Sequence, residues 1–151
     1  MNDTFEQIHA TQVKALVKKL GNKALSDTEI RKEVNGLKIP KFSGVFLQNS
    51  VLPEGNCTYI INQDVVGGPG IHWLGVVQQN KTCYVYDSFG RSAGRVIPKF
   101  HHIMVGRGYK IRNTDLSDAD QHGDRSVTCG HRAISALMIY KKHGLDGYMQ
   151  L

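Results

Sequence analysis

No part of this sequence holds the roughly 18 consecutive apolar residues that a membrane-spanning helix needs. The opening MNDTFEQIHATQ has no basic segment followed by an apolar one, so a secretory leader is not expected. Cysteine is scarce and odd in number: Cys57, Cys83 and Cys129 are widely spaced and form no C-x-x-C pair. That argues against a disulfide scaffold and a structural zinc site, and it suits a reducing compartment. Internal repeats, low-complexity tracts and linkers are also missing, so residues 1–151 read as one domain, soluble and intracellular. What is present is ordinary for a globular chain, with 40% hydrophobic and 21% charged residues. Lys and Arg outnumber Asp and Glu by 19 to 13, a net charge of +6. Such an excess attracts nucleic acid, acidic tails or anionic surfaces. Here it is spread along the chain. The one local cluster, Lys14, Lys18 and Lys19, falls near one helix face and reads more readily as a solvated surface than as a binding site.

The patterning runs from helices to strands and back to a helix. Residues 4–20 carry Phe5, Ile8, Val13, Leu16, Val17 and Leu20 at loosely helical spacing, and Gly21 is a natural stop. Ser26 with Glu29 is a capping-box pattern that opens a second helix, ended by Asn35-Gly36. Residues 58–63 read as a strand, then the glycines and Pro69 of 67–70 break the chain. Residues 71–78 and 83–87 read as two further strands joined by a hairpin at Gln79-Asn80-Lys81. Residues 95–104 carry a helical pattern despite Pro98, 108–113 suggest a fourth strand, and 114–128 is a polar loop. The last helix is expected from Cys129 to His143 and ends at Gly144; the tail LDGYMQL is too short to add a layer. The predicted class is α+β: a mostly antiparallel central sheet packed by helices, with Cys129 at the N-terminus of a buried helix.

That placement is where chemistry enters. A helix N-terminus carries partial positive charge, which favours thiolate at Cys129. Gly130 removes a side chain beside the sulfur, where a substrate backbone would approach. Thiol chemistry needs a base, and His72 in GPGIHW is held on a predicted strand. A catalytic imidazole needs an orienting group, and Asp87 in YVYDSFG ends the neighbouring strand of the hairpin. Acyl transfer needs oxyanion donors: the Cys129 backbone N–H is one, and Gln121 in the polar loop offers a side-chain amide. Taken singly, each residue has a plainer reading. Cys129 fits a buried small hydrophobe, His72 a core histidine, Trp73 core packing, Asp87 a strand-end turn and Gln121 a solvated loop residue.

Taken in order, His-Trp, then Asp-Ser-Phe-Gly, then Gln, then Cys-Gly before a helix, the chain resembles the adenovirus-type (adenain-like) maturation cysteine proteases. It also resembles their relatives that remove ubiquitin-like modifiers. The viral branch is the nearer likeness, through GGPGIHWLGVVQQNKTCYVYDSFG (67–90) and SDTEIRKEVNGLKIPKFSGVF (26–46). The viral branch often has Glu where this chain has Asp87; the deconjugating branch has Asp. The resemblance implies Cys129 as nucleophile, His72 as base, Asp87 as orienter, and Gln121 with the Cys129 amide as oxyanion hole. It implies cleavage of viral capsid or core precursor proteins beside small residues, in the virion and the infected cell interior. The partners implied are protein or peptide substrates, for a monomer with no membrane association. No metal or small-molecule cofactor is expected. DNA is a candidate activator, and a peptide activator tethered through a cysteine between Cys83 and Cys129 is disfavoured because none lies there. The competing readings are a protease cutting after a Gly-Gly tail, an acetyl-transferring enzyme with the same residue order, and a non-catalytic basic nucleic-acid or capsid-binding protein on the same scaffold.

Overall fold

The computed structural model describes residues 4–64, 72–115 and 127–151. The first two helices begin where the side chains can satisfy orphan backbone N–H groups. Thr4 and Gln7 form a reciprocal capping box that opens α1 (Phe5–Leu20), and Gly21, at φ 93°, closes it. Ser26 and Glu29 do the same for α2 (Asp27–Leu37), as the sequence pattern anticipates. This helix runs one residue beyond Asn35-Gly36 and is ended instead by Lys38 in the left-handed region. Among the described residues the elements run in the order α1, α2, β1 (Phe42–Leu47), β2 (Cys57–Asn62), β3 (Trp73–Gln79), β4 (Thr82–Tyr86), α3 (Ala93–Val96), α4 (Pro98–Gly106), β5 (Lys110–Asn113) and α5 (Cys129–Met149).

The class is α+β, but the sheet is mixed rather than mostly antiparallel. Its order is β1-β2-β3-β4-β5; β2, β3 and β4 pair antiparallel, while β1 joins β2 and β5 joins β4 in parallel. The physical cause at β5 is the α3–α4 crossover, which carries the chain back to the end where β4 began and so forces the same direction. At β1 the pattern KFSGVFL conceals the strand. Ser43 and Gly44 interrupt the apolar alternation, and the register shifts between Phe42 and Val45. The β3–β4 hairpin turns on Asn80 and Lys81, both at positive φ, the conformation that matches strand twist in a two-residue turn.

Helices cover both faces of the sheet, so the central strands are buried on both sides. On one face Ile60, Val77 and Tyr86 pack with Ala133, Ile134 and Leu137 of α5 and with Ile30 and Val34 of α2. On the other, Tyr59, Ile61, Leu74, Val76 and Val85 pack against Val96, Phe100 and Met104. A buried polar network ties α1, β4 and α5 together. The His9 Nε2 lies 3.0 Å from the Tyr86 hydroxyl, and its Nδ1 lies 2.8 Å from the Ser135 hydroxyl.

The tail is where expectation and structure part most. Gly144 breaks the helix, at φ 73° and ψ −171°, yet helical backbone resumes to Met149. Tyr148 is fully buried, its hydroxyl shared between the carbonyls of Tyr84 (2.8 Å) and Gly75 (3.1 Å), and Leu151 is buried as well. The last residues thus seal one face of the sheet rather than trailing from it. Among the described residues no helix is long and apolar enough to cross a membrane.

Candidate active site

The two chemically useful groups of the hairpin sit just off the strand ends rather than within the strands. His72 immediately precedes β3, its carbonyl accepting from the Gln63 N–H at 2.7 Å, and Asp87 immediately follows β4. The pairing of Gly75 with Tyr86 places Asp87 across from Leu74. Residues 72 and 74 share a face by strand alternation, so the Asp87 carboxylate and the His72 ring converge diagonally at one end of the sheet. Their separation is 2.5 Å, from His72 Nε2 to Asp87 Oδ1.

Asp87 is held from both oxygens. Oδ1 faces His72, while Oδ2 accepts from the backbone N–H of Arg91 at 2.9 Å and from its Nε at 3.0 Å. A tight turn makes this possible. Gly90 N–H bonds to the Asp87 carbonyl and Gly90 takes φ 68°, which brings Arg91 back over the carboxylate. Phe89, between them in sequence, packs its ring 5.3 Å from that of His72 and beneath the Arg91 guanidinium. Burial would raise the Asp87 pKa, but the bonds to His72 and Arg91 outweigh it and hold the carboxyl below its usual range. An ionised Asp87 only accepts, so Nε2 carries the proton and Nδ1 is left for a further partner.

Cys129, the first residue of α5, lies beside this ring, and the thiol and imidazole each favour the other's charged form. Burial pushes the Cys129 thiol up, but its interactions with His72 and with the backbone N–H groups of Trp73 and Gly130 bring it below the ordinary thiol value. Burial likewise pulls His72 down, and the Asp87 and Cys129 contacts reverse this to leave it raised. The other two thiols differ. Cys57 and Cys83 are buried and shifted upward by desolvation, Cys83 to about 12.

Gly130 has another role than the expected open approach. Its site is buried, and a Cβ there would meet Trp73 Cδ1 at 3.2 Å and Leu25 Cβ at 3.3 Å. The missing side chain lets the first turn of α5 dock against the indole, whose N–H donates to the Leu25 carbonyl at 3.0 Å. Trp73 is half-buried and forms a wall beside the thiol's helix.

Three of the four residues singled out in the sequence, His72, Asp87 and Cys129, therefore meet. Gln121 lies outside the described residues. Arg91 went unnoticed in the sequence; its signal was a basic residue four positions after Asp87 across a glycine turn. Among the described residues, no three His, Cys, Asp or Glu side chains are grouped to hold a metal. No protein-family model matches this chain, and no curated protein matches it in sequence. A buried carboxylate, a histidine oriented by it and a thiol at a helix start form an arrangement suited to nucleophilic attack on a carbonyl carbon.

Proposed function

We infer that the chain is a thiol-dependent peptide hydrolase, with Cys129 as nucleophile, His72 as general base and acid, and Asp87 as the group that orients His72. The observation that carries this reading is the run of hydrogen bonds from Arg91 through Asp87 to His72 at the sheet end, with Cys129 beside His72 at the start of α5. His72 Nδ1 takes the thiol proton, and the thiolate attacks the scissile carbonyl. The oxyanion draws on backbone N–H groups at the start of α5, with Gln121 as the proposed side-chain donor. Protonated His72 then delivers its proton to the leaving amine, and a water activated by His72 releases the acyl group. Asp87 stays ionised throughout and keeps the Nε2–H tautomer in place.

The resemblance to adenain-like proteases supports viral precursor proteins as the substrate class and the virion or infected cell as the setting. The Asp at position 87, shared with the deconjugating branch, makes Gly-Gly-tailed modifiers the second substrate to try. The net charge of +6 gives duplex DNA a place as an accelerant, by gathering enzyme and substrate on one polyanion. Digestion of a peptide library by wild type and by Cys129→Ala, with cut sites read by mass spectrometry, tests the reading. Cuts made by wild type alone are expected. A Cys129→Ala protein retaining more than about a thousandth of the activity contradicts the nucleophile's role.

A further inference from the structure

A groove of about 370 Å³ begins one residue from the thiol, at Thr128, and runs along α1. Its lining is Val13, Lys14, Val17, Lys18, Thr128 and Arg132, with Asn22 at its end. Val13 is buried and Val17 half-buried, which gives an apolar floor, and three of the lining residues are cationic. Lys14 and Lys18 lie four apart, so they share one face of the helix.

The lysines of this region fall into two sets. Lys19 is neutralised by Glu33 at 2.9 Å and Lys23 by Glu29 at 2.8 Å, both acids being supplied by α2. Lys14 and Lys18 turn toward the groove, are exposed, and make no ion pair among the described residues. No acidic residue lines the groove. Arg132 is anchored at its edge by the bond from its Nε to Thr128 Oγ1, at 2.9 Å. The edge is therefore fixed to the residue that precedes the nucleophile.

We propose that this groove binds an acidic, partly apolar segment of the substrate polypeptide, lying to one side of the scissile bond. The location of the cut rests on the reading of Cys129 as the nucleophile; the groove's chemistry does not. An extended chain advances about 3.3 Å per residue. A substrate held at Cys129 reaches the groove within a few residues, with Val, Leu or Ile side chains toward Val13 and Val17 and carboxylates toward Lys14 and Lys18. An apolar floor between cationic side chains can bury the alternating apolar side chains of a polypeptide, which a phosphate backbone does not offer, so polypeptide is the favoured occupant.

The test uses full-length Cys129→Ala protein and a short fluorescent peptide alternating Glu and Val, followed by anisotropy, with a Gln-Val peptide as control. The acidic peptide is expected to bind about tenfold more tightly than the control, and a Lys14→Glu/Lys18→Glu double variant to lose that margin. Raised salt should narrow it. A Lys18→Gln variant, with circular dichroism on each protein, guards against a folding artefact. Equal binding of the two peptides overturns the proposal, as does undiminished binding by the charge-reversed protein. Displacement of the peptide by a random duplex at lower concentration than by unlabelled peptide assigns the face to nucleic acid and also overturns it. A library digest separates the two claims. Acidic enrichment a few residues from the cut, lost on charge reversal, supports the groove. Cleavage without enrichment or peptide binding removes the groove and leaves the peptidase; peptide binding without any cleavage does the reverse.

Discussion

At the scale of single residues, the site is a set of opposed pressures on three ionisable groups. Burial works against the charged form of each, and hydrogen bonding within the set wins each time. Asp87→Asn keeps the shape but supplies a neutral partner, so kcat/KM is expected to fall by about 10³- to 10⁴-fold with some activity retained, and Asp87→Ala to fall further. Cleavage by Asp87→Ala at the wild-type rate would break the triad. Arg91 bonds directly to Asp87 and also covers Phe89, the ring that packs on His72. Arg91→Ala leaves the backbone N–H of residue 91 on Oδ2 and removes the guanidinium that helps hold the carboxyl low. A loss of about 3- to 10-fold is expected, with the acid limb of the pH–rate profile moving to higher pH because Asp87 protonates more readily. An unshifted limb would leave Arg91 a structural role alone. His72, Asp87 and Cys129 stand out in the sequence because their types and order are chemically restrictive. Arg91 does not, because nothing in a linear sequence says that Gly90 folds the chain back.

At the scale of elements, the capping boxes of α1 and α2 and the β3–β4 hairpin could be read directly, since each is a local pattern with a local cause. β1 could not, because Ser43 and Gly44 interrupt its alternation and its pairing with β2 is set from fifteen residues away. The direction of β5 was equally hidden; it depends on the crossover, not on the strand. Gly144, expected to end α5, only kinks it, and Tyr148 beyond it is a core residue. Tyr148→Ala is expected to cost about 3–5 kcal/mol in urea unfolding, as for other large-to-small aromatic changes in a core. Tyr148→Phe should cost about 1–2 kcal/mol, the bond to the Tyr84 and Gly75 carbonyls. A Tyr148→Ala protein as stable as wild type would mean that the tail does not seal the sheet.

At the scale of the whole molecule, the surroundings of the Cys129 thiol are a product of the fold. Cys129 lies 57 residues from His72 and 42 from Asp87 in the chain, and the sheet end and α5 bring them together. The same coupling makes stability depend on pH. Asp87 has a lowered pKa in the fold, so its contribution is present above the unfolded carboxylate value, about 3.9, and is lost as pH falls toward the folded one. His72 is raised, so its contribution is present below about 6.5 and is lost as pH climbs through its folded value. Asp87→Ala should therefore flatten the acid side of the stability profile measured by thermal melts; an unchanged acid slope would show that Asp87 is not held low. The central claim is that folding turns Cys129 into a reactive thiolate, and the most direct measurement is site-resolved iodoacetamide labelling near pH 6.5, in buffer and in urea. The account predicts rapid, selective labelling of Cys129 over Cys57 and Cys83 in the folded protein, lost in His72→Ala and levelled to a common slow rate on unfolding. A folded Cys129 that labels no faster than it does in urea would contradict it.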